Sequence, residues 1–225
     1  MITTEDTSVQ DDVKHRFEWD AKNFDAIYRL ERSPFSRWFN KTFRKAVFDR
    51  YDLAFTHAGD VTGKAILDIG CGPGIYSADF ARRGARRVLG VDFSSNMLDI
   101  ARAEARQHGV EGVCEFRQAD FTVAQLTETF DVTIAMGVFD YLREPQPFLK
   151  KMADVTRGTV ICSFPGHSTV RKLARRMRYK LTRRGTVFFY AEEDVARLAK
   201  GAGFQSYEIV PLRSSGTGFV LVGKT

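Results

Sequence analysis

Cysteine is scarce in this chain: three residues in 225, Cys71, Cys114 and Cys162, far apart and without CxxC spacing. That excludes a disulfide framework and a cysteine-built zinc site, and metal chemistry loses its best ligands. No run approaches the ~18 consecutive apolar residues that a membrane span needs. The opening MITTEDTSVQDDVK is acidic and polar where a signal peptide would be basic and then apolar, so the expectation is a cytoplasmic protein. Internal repeats and low-complexity tracts are missing too. With 18 glycines, 6 prolines, 44% hydrophobic and 28% charged residues, the composition fits an ordinary globular chain and excludes fibrous and disordered classes. At ~100–200 residues per domain, the length allows one domain with an attached segment.

Charge is unevenly placed. Lys and Arg number 34 against 28 Asp and Glu, a mild excess that leaves open an anionic small molecule, nucleic acid or an acidic membrane surface. Residues 1–31 carry eight acids against four bases, whereas 171–184, RKLARRMRYKLTRR, carry eight bases and no acid. Residues 17–55 hold eleven of the 28 aromatics. Ser33 then Pro34 reads as an N-cap and first turn, Phe35, Trp38, Phe39 and Phe43 follow at helical intervals, and Gly59 can end the helical stretch. The expectation is a helical cap over 1–58 packed on a main domain at 59–225, with part of its aromatic stripe serving as a lid over a substrate pocket.

From residue 64 the texture alternates. AILDIGCG, RRVLGVDFS, VCEFRQADF, FDVTIAMGV and GTVICSFPG read as strands, and IYSADFARRG, SSNMLDIARAEARQHG and YLREPQPFLKKMADV as helical stretches. AEEDVARLAKGAGF adds a helix with acids in its first turn and glycine at its end. FQSYEIVPL and TGFVLVGKT close the chain as two strands whose short link at RSSG fits an antiparallel hairpin. The fold expected is α/β and Rossmann-like: a seven-stranded, mostly parallel sheet with one antiparallel strand and helices on both faces, plus the N-terminal cap. A basic helical insertion, STVRKLARRMRYKL, is expected near 168–184.

Such sheets bind ligands at the carboxyl ends of their strands. Gly70, Gly72 and Gly74 stand at the first such end, in Asp68-Ile69-Gly70-Cys71-Gly72-Pro73-Gly74, spaced GxGxG rather than the GxGxxG suited to a pyrophosphate. Asp92 ends the second strand, where a carboxylate offers two oxygens to two ribose hydroxyls, with Phe93 beside the base. Asp120-Phe121 and Met136-Gly137 end the third and fourth strands, and an acid at the first of these can accept from an adenine amino group.

With those residues in place, the chain resembles the class I S-adenosylmethionine-dependent methyltransferases over residues 64–225: LDIGCGPG looks like their first motif, GVDFSSNML their second and QADF their third. The resemblance implies S-adenosylmethionine as cofactor. It implies that Gly70, Gly72 and the backbone of Cys71 face its methionine portion, with Gly74 also in the cofactor-binding turn, that Asp68 acts near its amino group and that Asp92 holds its ribose. Asp120, Phe121 and Met97 would surround the adenine, and backbone at Met136 and Gly137 would close the site. The Asn/Asp-Pro-Pro-aromatic signature and the Pro-Cys nucleophile of base-modifying relatives are absent after the fourth strand, which points to a small-molecule acceptor, with an anionic or lipid-like one among the options, and away from nucleic acid. Methyl transfer is an in-line displacement, so the protein mainly aligns, excludes water and, for a weak nucleophile, supplies a base. Candidates for that base are Asp140, Tyr141, His167 and Tyr190. The basic segment would read an anionic acceptor, touch an anionic membrane peripherally or form a solvated face. Two other readings stay open: a catalytically silent S-adenosylmethionine-binding protein and a nicotinamide-dependent oxidoreductase.

Overall fold

A computed structural model describes residues 48–166, 188–212 and 218–225. The larger part of the expected cap, His167, the basic segment at 168–184 and the RSSG loop lie outside the described residues. Seven strands form one sheet: β1 (Ala65–Ile69), β2 (Arg87–Asp92), β3 (Cys114–Gln118), β4 (Phe130–Ala135), β5 (Thr156–Phe164), β6 (Ser206–Pro211) and β7 (Phe219–Lys224). Their spatial order is β3-β2-β1-β4-β5-β7-β6. The first five run parallel, while β7 lies antiparallel to both β5 and β6. The single reversed strand is thus where the short final link required it.

Burial follows position in the sheet. Central β1 is buried at all five positions, as expected for a strand covered on both faces. Edge strands β3 and β6 expose polar residues such as Glu115, Gln118, Ser206 and Glu208. Successive residues of β1 feed opposite cores: Ile66 packs with Val88, Ile134, Ile161 and Phe80, and Leu67 with Leu89, Val160, Leu149 and Met152.

The helices divide between those two cores. Residues 48–58 (α1), Ile75–Arg82 (α2) and Ser95–Gln107 (α3) cover one face, and Pro145–Asp154 (α4) and Glu192–Ala202 (α5) the other. Their ends obey capping chemistry. Ser94 Oγ accepts the Met97 N–H at 3.3 Å, and Asp194 accepts the Ala191 N–H at 3.0 Å. Gly203 ends α5 at φ 84°. The helical stretch read as 141–155 begins only at Pro145, because Glu144, which precedes a proline, sits at φ −118° and ψ 83°. A short 3-10 turn, Phe139–Tyr141, fills the gap after β4.

Gly59, at the boundary expected between cap and domain, marks the end of a helix. Gly59 at φ 63° donates its N–H to Phe55 O at 3.2 Å and stops α1. Ahead of it, Tyr51, Phe55, Tyr76 and Phe80 form one aromatic cluster with neighbouring centroids 4.5–6.0 Å apart. The Arg83 guanidinium lies 4.0 Å over the Phe55 ring, and the Tyr51 hydroxyl donates to Asp79. The last turns of the presumed cap therefore belong to the core of the sheet domain. Phe55→Ala is expected to lower unfolding free energy by about 3 kcal/mol in urea denaturation, since it removes the ring at the middle of this cluster. A loss under about 1 kcal/mol would mean that α1 is held by something else.

Candidate functional site

The site is built where β1 and β2 end side by side, Asp68 paired with Gly90 and Ile69 with Val91. The turn after β1 curls over β2. Gly70 and Cys71 donate their N–H groups to Val91 O at 2.7 and 3.2 Å, Gly72 donates to Asp92 Oδ2 at 2.9 Å, and Gly74 donates to Cys71 O at 3.0 Å. Pro73 has no N–H to offer. These four N–H groups are therefore engaged within the protein instead of forming the open donor cradle of a pyrophosphate site. Gly70 has φ 65°, and a Cβ there would stand 2.5 Å from Val138 Cγ2, so only glycine fits. Gly72, at φ 51°, has nothing within 4 Å of where its Cβ would be, and its Cα side opens toward free space. At Gly74 a Cβ would lie 2.7 Å from Ala101 Cβ, so its lack of a side chain seats α2 against α3.

Asp92 is 8% exposed and holds two neighbours, Gly72 N–H on Oδ2 and Ser94 N–H on Oδ1, each at 2.9 Å. Burial raises its pKa, and these main-chain donors counter part of the rise. The Phe93 N–H is a further main-chain donor to this carboxylate. Asp68, 2% exposed, accepts the Ser77 hydroxyl at 2.6 Å. Burial, with a smaller push from Asp92, lifts the Asp68 carboxyl to about 7, against the Ser77 hydrogen bond that lowers it. Ser77, on the buried side of α2, went unread in the sequence, although a serine within an otherwise apolar helix face was a signal. Burial, reinforced by Asp68 and Asp92, pushes the Cys71 thiol well up, which fits a small residue of a tight turn and not a nucleophile.

On the adenine side expected from the sequence, Asp120 Oδ1 accepts Thr122 N–H at 2.8 Å and Thr122 Oγ1 at 2.7 Å. Phe121 does not turn its ring outward. It is 4% exposed and packs edge-on to Phe148 of α4 at 5.0 Å, so its ring belongs to the core. Met97 is likewise buried, in the first turn of α3, and half-buried Phe93 accepts from Gln118 Nε2 on its carbonyl at 3.0 Å.

At the end of β4, Met136 and Gly137 lie half-buried, with Gly137 N–H donating to Ser163 Oγ at 2.8 Å. Beside Gly137 stands Arg50 of α1, its Nη1 3.7 Å from where a glycine Cβ would be and its buried Nε without a hydrogen-bond partner among the described residues. Sequence reasoning missed Arg50, because nothing in its own neighbourhood marks it. Buried Asp140 and half-buried Tyr141 follow on the 3-10 turn. Tyr190 is a poor base: it is 7% exposed, its hydroxyl lies 3.2 Å from the carbonyls of both Phe139 and Leu142, and burial, with Asp140 and Asp194, pushes its pKa far up. It ties the segment after 187 to the turn after β4.

Three carboxylates, Asp68, Asp92 and Asp120, thus gather at strand ends, with one guanidinium at the far side. That field suits a ligand carrying positive charge, ribose hydroxyls and one carboxylate, and opposes a dianionic pyrophosphate. Among the described residues, no group of His, Cys, Asp and Glu could hold a metal ion.

The chain is similar to known proteins in sequence and in fold. A family described as "Methyltransferase domain" matches residues 66–158. The chain is 30% identical over 187 residues to the ubiquinone biosynthesis O-methyltransferase of Neisseria meningitidis serogroup C, covering 74% of this chain and 76% of that protein. It is 36% identical over 108 residues to the enzyme of the same name from Aeromonas salmonicida, 48% of this chain but only 45% of that protein. The matched stretch thus spans less than half of some curated relatives. In fold, the magnesium protoporphyrin IX methyltransferase of Synechocystis PCC 6803, solved with bound SAH, superposes with a TM-score of 0.71 at 20% identity, over 94% of this chain and 97% of that one. Given a relative this similar over three quarters of its length, the chain belongs to the class I S-adenosylmethionine-dependent methyltransferases.

Proposed function

We propose that the protein transfers the methyl group of S-adenosylmethionine to a small-molecule acceptor, with an oxygen atom of an amphiphilic or anionic molecule as the first to test. The observation that carries this reading is the strand-end turn whose Gly70, Cys71, Gly72 and Gly74 N–H groups are engaged within the protein, beside the acids Asp68, Asp92 and Asp120 at the ends of three neighbouring strands. The oxygen acceptor is supported by relatives named ubiquinone biosynthesis O-methyltransferase. When bound, the cofactor supplies a sulfonium methyl already activated for in-line displacement. The chain's residues orient and enclose it: Asp68 takes the ammonium, Asp92 the ribose hydroxyls, Asp120 the adenine amino group, and Arg50 the carboxylate of the methionine portion. Asp140 and Tyr141 stand where a proton from an acceptor hydroxyl could be taken, and His167 remains a third candidate. No helix among the described residues is long and apolar enough to cross a membrane, so contact with a lipid-like acceptor would be peripheral.

Calorimetry with S-adenosylmethionine and with NAD, followed by assay of S-adenosylhomocysteine release with quinol-type acceptors or a metabolite extract, tests the reading. Preference for NAD would overturn it. Cofactor binding without any turnover would favour the silent binding protein.

Asp92→Ala is expected to weaken cofactor binding at least tenfold, since it removes an acceptor of two hydroxyls at roughly 1.5–3 kcal/mol each before compensation and also releases the Gly72 N–H. Equal affinity in wild type and variant would sink the ribose assignment. A pH effect follows from Asp68 titrating at about 7 in the free protein. Binding an ammonium group there favours the ionised carboxyl, so at pH 6 binding should release a proton and the Kd should rise by up to about tenfold per unit below 7. Because the folded value lies above the unfolded one, this group's contribution to the free protein's stability is full below about pH 4 and is lost as pH climbs through 7, a loss that bound cofactor should offset. Calorimetry in two buffers of different ionisation enthalpy reads the proton directly; no proton release at pH 6 would separate Asp68 from the ammonium.

A further inference from the structure

The turn that follows β3 carries Asp120, and an unusual lysine sits beneath it. Lys151, in the last turn of α4, directs its Nζ at three main-chain carbonyls of this one turn: Phe121 O at 2.6 Å, Thr122 O at 3.2 Å and Ala124 O. The same Nζ lies 5.0 Å over the Phe121 ring. An ammonium has three donors and here meets three acceptors, all of them from residues 121–124.

The N–H groups of the turn run the other way. Thr122 N–H and Oγ1 go to Asp120 Oδ1, and Val123 and Ala124 N–H go to Asp120 O at 3.2 and 2.9 Å. The turn is therefore a shell with its donors folded onto Asp120 and its carbonyls converging on one cation. Converging carbonyl dipoles repel each other unless a positive charge stands between them. Without it the turn would open, and Asp120 Oδ1 would lose the two donors that aim the carboxylate. Only Oδ1 is engaged this way; no donor reaches Oδ2 among the described residues, which leaves it to face a ligand. Burial lowers the Lys151 pKa, and the Asp120 carboxylate counters part of the shift, which places the two charges within electrostatic reach.

We propose that Lys151 is a positioning residue for base recognition: by gathering the carbonyls of Phe121, Thr122 and Ala124, it holds Asp120 in the orientation that reads the 6-amino group of the cofactor's adenine. The proposal rests on the cofactor reading above and adds to it a residue on the opposite face of the turn, touching neither cofactor nor acceptor.

The measurement is a ratio. Wild type, Lys151→Met and Lys151→Arg are titrated calorimetrically with S-adenosylhomocysteine and with its analogue bearing unsubstituted purine in place of adenine. Wild type is expected to prefer the amino-bearing ligand about tenfold or more, as for a hydrogen bond to a charged acceptor. In Lys151→Met the preference should fall below about threefold, with most of the affinity loss on the amino-bearing ligand. A purely structural lysine would lower thermal stability yet leave the ratio intact in the molecules that stay folded. Lys151→Arg keeps the charge, but its planar fork cannot converge on three carbonyls of one turn, so it should retain only part of the preference. Should Lys151→Met fail to fold, the arginine variant carries the test. A wild-type ratio in either folded variant overturns the proposal, as does a wild type that binds both ligands equally. A wild type that binds neither overturns the cofactor reading itself and is recognised by the absence of any heat of binding.

Discussion

The carboxylate of Asp92 is the joint on which the ligand side of this fold depends. It receives one N–H from the glycine turn after β1 and one from the cap of α3, so a single side chain fixes the relative placement of two loops that would otherwise leave their strands independently. Each loop then carries its own cargo. The first holds Gly72 open to the ligand side; the second starts the helix whose Ala101 packs against Gly74. Buried carboxylates normally demand compensation, and here the compensation is main-chain N–H, which leaves the charge in place without a cationic partner. The acids of the site are held by main-chain and hydroxyl donors, not by direct ion pairs with lysine or arginine among the described residues.

That local sign contrasts with the chain as a whole. A net charge of +6 suggested anionic partners, and nothing in it suggested an acidic pocket. Net charge reports long-range steering and solubility, whereas recognition is decided by groups within a few ångströms whose solvent has been removed. A guanidinium beside the strand ends, that of Arg50, comes from α1 and stands next to Gly137.

Legibility in the sequence followed chain distance. The strand ends were readable because each is announced by its own strand: Asp68, Asp92, Asp120 and Gly137 stand where alternation stops, and the parallel architecture brings such ends together. The reversed β7 was readable from the shortness of one link. What the sequence did not disclose are the residues that act across the fold. Ser163 meets Gly137 from 26 residues away and Lys151 meets Phe121 from 30, with no motif to connect either pair. Phe121 shows a different limit. An aromatic residue at a strand end can face a ligand or the core with the same local sequence, and only the presence of Phe148 on α4 decides for the core. Gly59 has a related limit: its local sequence signals a helix end, while the contacts of the rings before it with those of α2 cannot be read from that sequence.

The place of β7 has a consequence for synthesis. β6 precedes β7 in the chain but sits outside it in the sheet, so β6 has no strand to pair with until β7 has been made and inserted beside β5. During translation the nascent sheet therefore ends at β5, a nine-residue strand whose last six residues are fully buried once folding is complete. Until the final hairpin arrives, that strand is an apolar open edge of the kind that invites pairing between chains. The yield of soluble protein should thus be governed less by the ligand site than by how fast the last two strands reach β5.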